Sequence, residues 1–404
     1  MQLIVPNLTF EDDLGDLRTK ITPQTQRAFN ELAPVLGLIA DKDDIVLVPE
    51  VPQPEDIPES LQYVHYRQPA SLRHDDIATD TSVVPWGWTA QLRALATERN
   101  CDLSKVPATA AVIEANSRRF NAEHDRLTPE PSPGSAFETG TFGRLCDSID
   151  VWTQEVRRLR QFGFERWVTK AQLSHAGRNR LLGSGIELND QQNGWLKKHF
   201  AQPGGVYLEP WVPVVDECGL QFEITQQQIR FVGVAQLMND KVGRYSGSLI
   251  AADERLQQSW TAAIEHGYTV CRSALAAGYW GPLGIDAFRF VLPNGDIATR
   301  LCNDINGRFT MGRVALHLQK WLKPNEYGLW THHVVPDDPG KFAAYLESLI
   351  NLKAEGVKTI ATSPLKIAGN SVRQRTTLLI GQTPAQLLIL AQNSMSKQEY
   401  ELFE

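Results

Sequence analysis

Two predicted strands joined by a turn limit the possible folds of this chain more than any other feature. The segments IDAFRFV (285–291) and IATRLCNDI (297–305) flank the sequence PNG at 293–295, which is typical of a β-hairpin turn. Each strand carries an acidic residue, Asp286 on the first and Asp304 on the second. In a matched antiparallel register these carboxylates would lie side by side. The chain is therefore expected to contain an antiparallel hairpin that brings two acids together.

The end of the second strand carries the strongest chemical signal. Asp304, Asn306 and Arg308 alternate along the chain, so they share one face of the strand. With Asp286 they offer two carboxylates and an amide oxygen, which are hard ligands suited to Mg²⁺ when phosphate groups and water complete its shell. Arg308 adds a planar fork that can grip a phosphate or a carboxylate. The alternative is an exposed hairpin edge whose charges are solvated.

A second signal is Lys170, at the end of the predicted strand RWVTK and followed by the glycine-rich segment 174–185. A lysine there can offer its charge to a nucleotide phosphate, and small residues let backbone N–H groups approach the same phosphate. No Walker A pattern occurs in the sequence. The alternative is a solvated lysine at a strand end.

A third signal is the segment LEPWVPVVDE (208–217), a strand that runs into a partly apolar hinge. Such a hinge can present backbone groups to the edge of a purine, while an acid such as Asp216 takes the ribose hydroxyls. The alternative is a linker between domains with incidental acids.

Composition excludes several classes of protein. The 404 residues allow two to three domains, and 42% apolar with 22% charged residues is ordinary for a soluble globular chain. The net charge of −7, with both signs interspersed, argues against nucleic-acid binding. The five cysteines are scattered without a C-x-x-C pair, so we expect neither a disulfide framework nor a zinc site. No apolar run approaches the roughly 18 residues of a membrane span and no signal peptide is evident, so we expect a cytoplasmic protein.

Periodicity predicts an N-terminal α/β unit followed by a mixed remainder. Predicted strands other than the hairpin are 3–7, 43–50, 166–170, the start of 204–217, 220–225 and 229–238. Predicted helices are 22–38, 89–100, 110–127, 148–163, 255–278, 313–322, 341–356 and 383–393. Ser148 is the expected N-cap and Gly163 the expected end of the fourth of these helices. His332 and His333 have no third ligand nearby and are expected to be polar loop residues.

The order of these features resembles that of the ATP-grasp superfamily over roughly residues 110–335. The strand RWVTK is similar to that family's strand ending in a phosphate-binding lysine, which assigns nucleotide binding to Lys170. The segment 174–185 is similar to its mobile glycine-rich loop, in which Ser174 and Gly177 are the implied nucleotide contacts.

The hinge segment is also similar to that of the family. The resemblance sets Glu209 and Val212 at the positions that contact the purine, with Trp211 between them, and Asp216 at the ribose position. The sequence PWGW (85–88) is similar to an element in the N-terminal α/β domain of some ATP-grasp proteins.

The hairpin resembles the family's metal-binding hairpin, whose usual form is Glu-x-Asn-x-Arg. This assigns the metal to Asp286, Asp304 and Asn306, and the catalytic contacts to Arg308 and Lys170. Asp304 stands where glutamate is usual and is one methylene shorter. The separation of the two acids exceeds that of the common hairpin, which predicts an extended turn.

Two assignments stay open. The family's earlier phosphate-binding lysine has no counterpart, and Arg118 or Arg119 is the nearest candidate to replace it. Lys241 and Arg244 lie between two strands, where they would either approach the transferred phosphate or an acidic substrate, or form a surface turn.

The resemblance implies an α/β (α+β) chain with the ATP-grasp fold, two α/β lobes gripping ATP behind an N-terminal α/β domain. The implied units are an N-terminal pre-ATP-grasp-like domain (1–109), a lobe with the lysine and loop (110–208), a lobe with the hinge and hairpin (209–335) and a closing element (336–404).

The implied activity is that of an ATP-dependent carboxylate–amine ligase using one or two Mg²⁺ ions. It would convert a small-molecule carboxylate into an acyl phosphate and couple it to an amine, such as an amino acid or peptide, and it leaves room for a homodimer. Two alternatives stay open, a small-molecule kinase of the same fold and a non-catalytic nucleotide-binding protein. The second alternative is favoured by Asp304 and by the missing first lysine.

Overall fold

The computed structural model describes residues 1–15, 21–72, 81–98, 103, 106–130, 134–137, 140–173, 179–239, 243–335 and 356–390. The predicted nucleotide contacts Ser174 and Gly177 lie outside these ranges, as do Lys241 and all but the last residue of the predicted helix 341–356.

The N-terminal part forms a parallel α/β unit, as the sequence predicted. Its strands are β1 (Gln2–Val5), β2 (Ile45–Leu47), β3 (His65–Arg67) and β4 (Ser82–Pro85). Its helices are α1 (Phe10–Leu14), α2 (Pro23–Leu32) and α3 (Ala90–Glu98), with 3-10 segments at Ala33–Ile39, Pro54–Asp56, Glu59–Leu61 and Pro69–Ser71. The strand order is β3-β2-β1-β4. Because β1 and β4 are parallel neighbours, the loops that follow them emerge at the same end of the sheet. Asn7 and Gly87 join these two loops by hydrogen bonds of 2.8 and 3.3 Å.

A small antiparallel sheet carries the predicted lysine strand. Its strands are β6 (Arg144–Cys146), β7 (Arg166–Ala171), β8 (Arg180–Ser184) and β9 (Val206–Pro210), in the order β6-β9-β7-β8. The nearby helices are α4 (Thr109–Ala115), α5 (Arg118–Glu123), α6 (Ile149–Gln161) and α7 (Asp190–Phe200). The predicted cap of α6 is confirmed, because Ser148 accepts a hydrogen bond from the Val151 N–H and Gly163 follows the helix at φ +86°. The Trp152 Nε1–H donates to Thr169 at 2.9 Å and fixes α6 on β7.

A large antiparallel sheet holds the hairpin. Its strands are β5 (Leu127–Thr128), β10 (Val214–Ile224), β11 (Ile229–Asn239), β12 (Tyr245–Ala251), β13 (Gly281–Val291), β14 (Ile297–Asn306), β15 (Tyr327–Val334), β16 (Lys358–Ala361) and β19 (Gln374–Gly381). The order is β16-β19-β15-β12-β11-β10-β13-β14-β5. The short strands β17 (Lys366–Ile367) and β18 (Asn370–Ser371) pair separately. The remaining helices are α8 (Arg255–Gln258), α9 (Thr261–Ala276), α10 (Met311–His317) with a 3-10 turn at Leu318–Trp321, and α11 (384–390).

The main hydrophobic core lies where the large sheet packs against α9 and α10. Leu220, Phe222 and Ile224 recur at every second position of β10 and are at most 1% exposed. Val270 of α9 and Val314 of α10 belong to the same core and have no exposed surface. Each such side chain stabilises the fold by about 1.5–3 kcal/mol relative to an exposed position.

Several predicted helices and one predicted loop differ from the structure. The segment 110–127 is two short helices, because Ser117 accepts a hydrogen bond from the Phe120 N–H and starts α5 as a new N-cap. The predicted helix 255–278 divides into α8 and α9 at Trp260. Part of the predicted loop 174–185 is strand β8, which pairs with β7.

The predicted extended turn of the hairpin is wrong. The strands β13 and β14 have 11 and 10 residues, and Val291 pairs with Ile297, so the turn is short. The extra length is a bulge in β14, since Asp286 pairs with Asp304 whereas Phe288 pairs with Arg300.

The predicted unit boundaries stay a prediction. The large sheet includes β5, which precedes residue 208, and β16 and β19, which follow residue 335. It therefore crosses two of the predicted boundaries. Within the described ranges, no helix is long and apolar enough to cross a membrane.

Candidate active site

Two adjoining cavities of about 410 and 490 Å³ lie between the small sheet, the large sheet and the N-terminal loops. Both are lined by Lys170, Arg180, Glu217, Leu237, Asn239, Gly243 and Asn303. The first cavity also contains the hairpin residues and N-terminal side chains, and the second contains the hinge. Because the two cavities share one wall, we refer to them together as the cleft.

Lys170 lies on β7 at this shared wall. Its Nζ is 2.5 Å from the Glu209 carboxylate and 3.5 Å from the Asn303 side-chain oxygen. Burial lowers the pKa of Lys170, Glu209 opposes that effect, and the nearby charges of Arg118 and Arg300 reinforce it. A cation held at a buried wall in this way is suited to pair with an entering phosphate.

A buried ion network holds Lys170 in position. The second oxygen of Glu209 is 2.8 Å from Arg300, and Arg300 is 2.9 Å from Asp125. Burial acts to raise the pKa of Glu209, but the ion pairs with Arg300 and Lys170 lower it to about 2. The Asp125 carboxylate also accepts a hydrogen bond from Tyr207. The resemblance assigned Glu209 to purine binding. In the structure its carboxylate instead forms ion pairs with Lys170 and Arg300.

The hairpin brings the predicted metal ligands together. Asp286 and Asp304 are directly paired in the β13–β14 register, and the Asn306 amide donates to Asp286 at 3.4 Å. The register expected from the sequence is therefore confirmed. Arg118 donates to both oxygens of Asp304, at 2.7 and 3.2 Å.

The carboxylates of this wall are buried and close to one another. Burial raises the pKa of Asp286 well above its ordinary range, and the charges of Asp304 and Glu217 add to this effect. Burial also raises the pKa of Glu217 to about 7, although Asn239 donates a hydrogen bond that opposes the change. A divalent cation would relieve the repulsion between these groups.

The donor set fits Mg²⁺ better than a softer metal. Among the described residues, no group of three or more His, Cys, Asp or Glu side chains could hold a metal ion by itself. The predicted set is two carboxylates and the Asn306 amide, and Mg²⁺ commonly takes few protein ligands and completes its shell with phosphate and water. The residues present therefore fit a nucleotide-bound magnesium ion.

Arg308 links the hairpin to the N-terminal unit. Its guanidinium pairs with Glu11 of α1, donates to Asn306 at 3.0 Å and lies 5.5 Å from the centre of the Trp86 ring. The Phe309 N–H donates to the Trp86 carbonyl at 2.9 Å. The side chain that was predicted to contact the reacting groups is thus oriented by α1 and by the loop after β4.

The hinge residues line the second cavity. Trp211, Val212 and Asp216 all border it, and Arg180 lies 5.4 Å above the Trp211 ring. The Asp216 carboxylate forms a double ion pair with Arg289, one bond of which is 2.6 Å. The structure therefore places the predicted purine and ribose positions at one cavity, next to Lys170.

The two candidate arginines differ in their surroundings. Arg118 is 4% exposed and lines the first cavity. Arg119 pairs with Glu114 at the surface, which raises the pKa of Arg119. Of the two, only Arg118 is in the cleft.

Sequence reasoning missed several residues of the site. Glu217 was noted only as an acid beside Asp216, and Asn303 was not singled out although the β14 bulge turns it to the shared wall. Arg300 and Asp125 carried no signal, because their partners are distant in the sequence. Glu11 stands in an acidic N-terminal segment that resembles a solvated helix face.

The predicted loop at His332 and His333 is wrong. Both lie on β15, and burial lowers the pKa of His332 to about 3 and of His333 to about 4, so both rings are neutral. The His332 ring lines the first cavity, packs against Tyr245 and Trp330, and has a buried Nε2 without a hydrogen-bond partner in the described part of the chain. That these histidines hold no metal stays a prediction.

Solved structures share this architecture. N5-carboxyaminoimidazole synthetase from Staphylococcus aureus, complexed with ADP, matches with a TM-score of 0.52 and 12% identity over 90% of this chain and 95% of that chain. N5-carboxyaminoimidazole ribonucleotide synthetase from Thermus thermophilus matches with a TM-score of 0.50 and 15% identity over 100% and 98%. The biotin carboxylase domain dimer of the Hydrogenobacter thermophilus 2-oxoglutarate carboxylase, with MgADP and bicarbonate, matches with a TM-score of 0.50 and 10% identity over 98% and 89%.

A scan against models of protein families finds no match to the sequence, and neither does a search of curated proteins. Identities of 10 to 15% establish the fold and not the reaction. The α/β chain described here thus has the ATP-grasp fold, as its sequence predicted.

Proposed function

We propose that this protein is an ATP- and Mg²⁺-dependent ligase that joins a carboxylate to an amine through an acyl phosphate. The observation that carries the proposal is the meeting of Lys170 and the hairpin residues in one cleft. The two segments are far apart in the sequence, and were predicted to converge on the same triphosphate. Lys170 and Asn306 both line the first cavity. Had they lain on opposite surfaces of the molecule, they could not have contacted the same triphosphate.

The similar structures support the proposal that this chain binds ATP. The S. aureus protein was solved with ADP, and the H. thermophilus domain with MgADP and bicarbonate. In this chain, the hinge cavity would take the base and ribose, next to Trp211, Val212 and Asp216. The phosphates would extend past Lys170 toward the hairpin.

The residues of the chain would contribute mainly position and charge, as in other phosphoryl transfers. Asp286, Asp304 and Asn306 would hold Mg²⁺, which supplies charge neutralisation between phosphate groups. Lys170 would fix the transferred phosphate. Arg308 would hold the substrate carboxylate, whose oxygen attacks the γ-phosphorus while ADP leaves.

The second half of the reaction needs an amine. Its nitrogen would attack the carbonyl carbon of the acyl phosphate, phosphate would leave, and the amine would lose a proton. Arg118, rather than Arg119, would replace the missing lysine, because only Arg118 reaches the cleft and already contacts Asp304. The glycine-rich loop with Ser174 and Gly177, and a homodimer, remain predictions.

The test is phosphate release from Mg²⁺-ATP with mixed acids and amines, followed by mass spectrometry of the products. We expect Lys170→Ala and Asn306→Ala each to lower kcat by about 100-fold or more, because each removes a charge or ligand aimed at the transferred phosphate. The matched control Lys197→Ala changes an exposed lysine of α7 and should leave kcat unchanged. Full activity in either site variant would contradict the assignment. A stable phosphorylated product, formed without an amine, would instead indicate a kinase.

A further inference from the structure

The first cavity extends past the reacting groups to a surface that the proposed chemistry does not require. We call this surface the apolar wall and define it by Leu8, Phe29, Leu32, Trp86 and Met311. Leu8 and Trp86 are less than 9% exposed, and the other three are partly buried. The N-terminal unit supplies four of the five side chains, so the wall is built by a different part of the chain from the hairpin.

The apolar wall begins beside Arg308. The Arg308 guanidinium lies over the Trp86 ring, and the next residue, Phe309, is hydrogen-bonded to the Trp86 backbone. Met311 follows at the start of α10. A molecule whose carboxylate is held by Arg308 would therefore rest the remainder of its structure on the apolar wall.

The position of α2 in this wall is fixed by the C-terminal strands. The Glu31 carboxylate accepts hydrogen bonds from the backbone N–H groups of Arg373 and Gln374, at 2.8 and 2.9 Å. Phe29 and Leu32 flank Glu31 on the same helix and border the cavity together with Gln374. These bonds anchor the α2 side of the apolar wall, which favours selection by shape.

The charges around the wall disfavour a phosphorylated substrate. In the proposed function Arg118 and Lys170 are taken up by the nucleotide phosphates and Arg308 by the reacting carboxylate, so they are not available to a second phosphate group. Of the described lining residues that come from the N-terminal sheet and its helices, none is basic and one, Glu11, is acidic. A phosphate dianion on this side would lose its hydration without gaining a new cation.

We propose, on the basis of the function proposed above, that the activated carboxylic acid has an apolar, preferentially aromatic, body without a phosphate group. Burying a ring against the apolar wall would hold the acid while Arg308 orients its carboxylate. A ring fits because Trp86, Phe29 and the uncharged ring of His332 offer aromatic surface in the same cavity.

The test uses hydroxylamine, which attacks an acyl phosphate to give a hydroxamate and phosphate. The enzyme is supplied with Mg²⁺-ATP and with L-phenylalanine, L-leucine or 3-phenylpropanoate, and in parallel with O-phospho-L-serine or 3-phosphoglycerate. We expect hydroxamates from the apolar acids. Phe29→Ala and Leu32→Ala should raise the KM for these acids by about 10- to 100-fold and leave the KM for ATP unchanged. The control Leu365→Ala makes the same change at an exposed leucine that lines neither cavity, and both KM values should stay the same.

The outcomes separate this proposal from the proposed function. Hydroxamates from the phosphorylated acids alone, or an unchanged KM for apolar acids in both wall variants, would overturn the substrate class and leave the ligase chemistry intact. No hydroxamate from any acid would overturn the proposed chemistry. Calorimetry would then test whether the apolar wall binds an apolar acid. Binding of L-phenylalanine that weakens in Phe29→Ala supports the proposed substrate class, and absence of binding overturns it.

Discussion

Arg300 shows how single charges support the site without touching a substrate. It has no exposed surface, and its partners Asp125 and Glu209 are 175 and 91 residues away in the sequence. Its guanidinium also lies 4.5 Å above the Phe142 ring. Because Glu209 in turn holds Lys170, the position of the phosphate-binding cation depends on a residue outside the cavity.

We therefore expect Arg300→Met to destabilise the protein by about 3–5 kcal/mol, since it leaves the buried Asp125 carboxylate without its cation and Glu209 with Lys170 alone. Urea denaturation measures this change. The control Arg272→Met removes an exposed arginine of α9 and should change stability by no more than about 0.5 kcal/mol. Equal stability of the two variants would show that the buried ion network does not contribute to the free energy of unfolding.

Glu217 should make the magnesium-free protein sensitive to alkali. Its pKa is about 7 in the folded protein against an ordinary value of 4.5, mainly because the carboxyl is buried. The folded state binds this proton more tightly, so the stabilisation is complete below pH 4.5 and is lost as the pH rises through about 7. Thermal melting at pH 5.5 and 8.5 should show a smaller loss at high pH for Glu217→Gln than for the wild type. A larger loss of thermal stability in Glu217→Gln than in the wild type would show that the Glu217 proton does not stabilise the folded state.

The sequence predicted the site residues that are close together and missed those that are not. Asp304, Asn306 and Arg308 could be assigned to one face because alternation is a local property of a strand. Arg300 and Asp125 could not be paired, since their contact requires β14 to lie beside β5, which is distant in the sequence. Burial is also absent from local patterns, and so Glu217 resembled any other surface acid.

At the scale of elements, the β14 bulge determines what the hairpin presents. It lies between Arg300 and Asp304, and on the other side of β14 the Leu301 N–H donates to the Arg126 carbonyl next to β5. The bulge turns Asn303 to the shared wall, where it accepts hydrogen bonds from Arg300 and Lys170. Bulges often redirect a side chain next to a functional site in this way.

The hairpin yields a prediction about register. One alanine inserted between Ile305 and Asn306 would reverse the faces of Asn306 and Arg308 relative to Asp304. We expect Mg²⁺-ATP turnover to fall by about 100-fold or more, because the metal ligands no longer converge. Gly307 and Phe309, just after the insertion, bond to Asn116 and Trp86, so thermal melting is measured beside turnover to show that the variant is folded.

The matched control is one glycine inserted after Asn294, in the turn at the opposite end of the hairpin. That insertion leaves the Asp286–Asp304 pair unchanged and should preserve turnover. Equal activity of the two insertion variants would show that the face of the strand does not matter.

Helices and strands could be predicted where a long stretch had regular apolar spacing and a cap or turn residue marked its end. The cap at Ser148 and the strands flanking 293–295 were both found from the sequence. The strands β15 and β19 were missed, because they have runs of consecutive buried residues and so lack the alternation of apolar and polar residues that marks a half-buried strand. The helix predicted at 110–127 failed because Ser117, a strong cap, interrupts a continuous apolar pattern.

At the scale of the whole molecule, the N-terminal sheet is part of the site. Glu11 of α1 is paired with Arg308 of the hairpin, 297 residues later in the sequence. Glu31 of α2 is bonded to the backbone before β19. The three sheets are therefore connected through the cleft that they enclose.

This connection predicts an effect of Glu11→Gln on catalysis. The neutral amide would leave Arg308 less firmly oriented, so kcat should fall about 10-fold while the KM for ATP stays constant. The control Asp13→Asn changes an exposed acid on the same helix and should leave both constants unchanged. A change in the KM for ATP alone would place Glu11 in nucleotide binding instead.

The pairing of β15 with β19 has a consequence for synthesis on the ribosome. All eight residues of β15 pair with β19, including the fully buried Trp330. Until residues 374–381 emerge from the exit tunnel, the nascent chain must carry β15 with an open edge, which other unfinished chains can join. Translation of the intervening stretch is therefore the interval in which this protein most needs a chaperone.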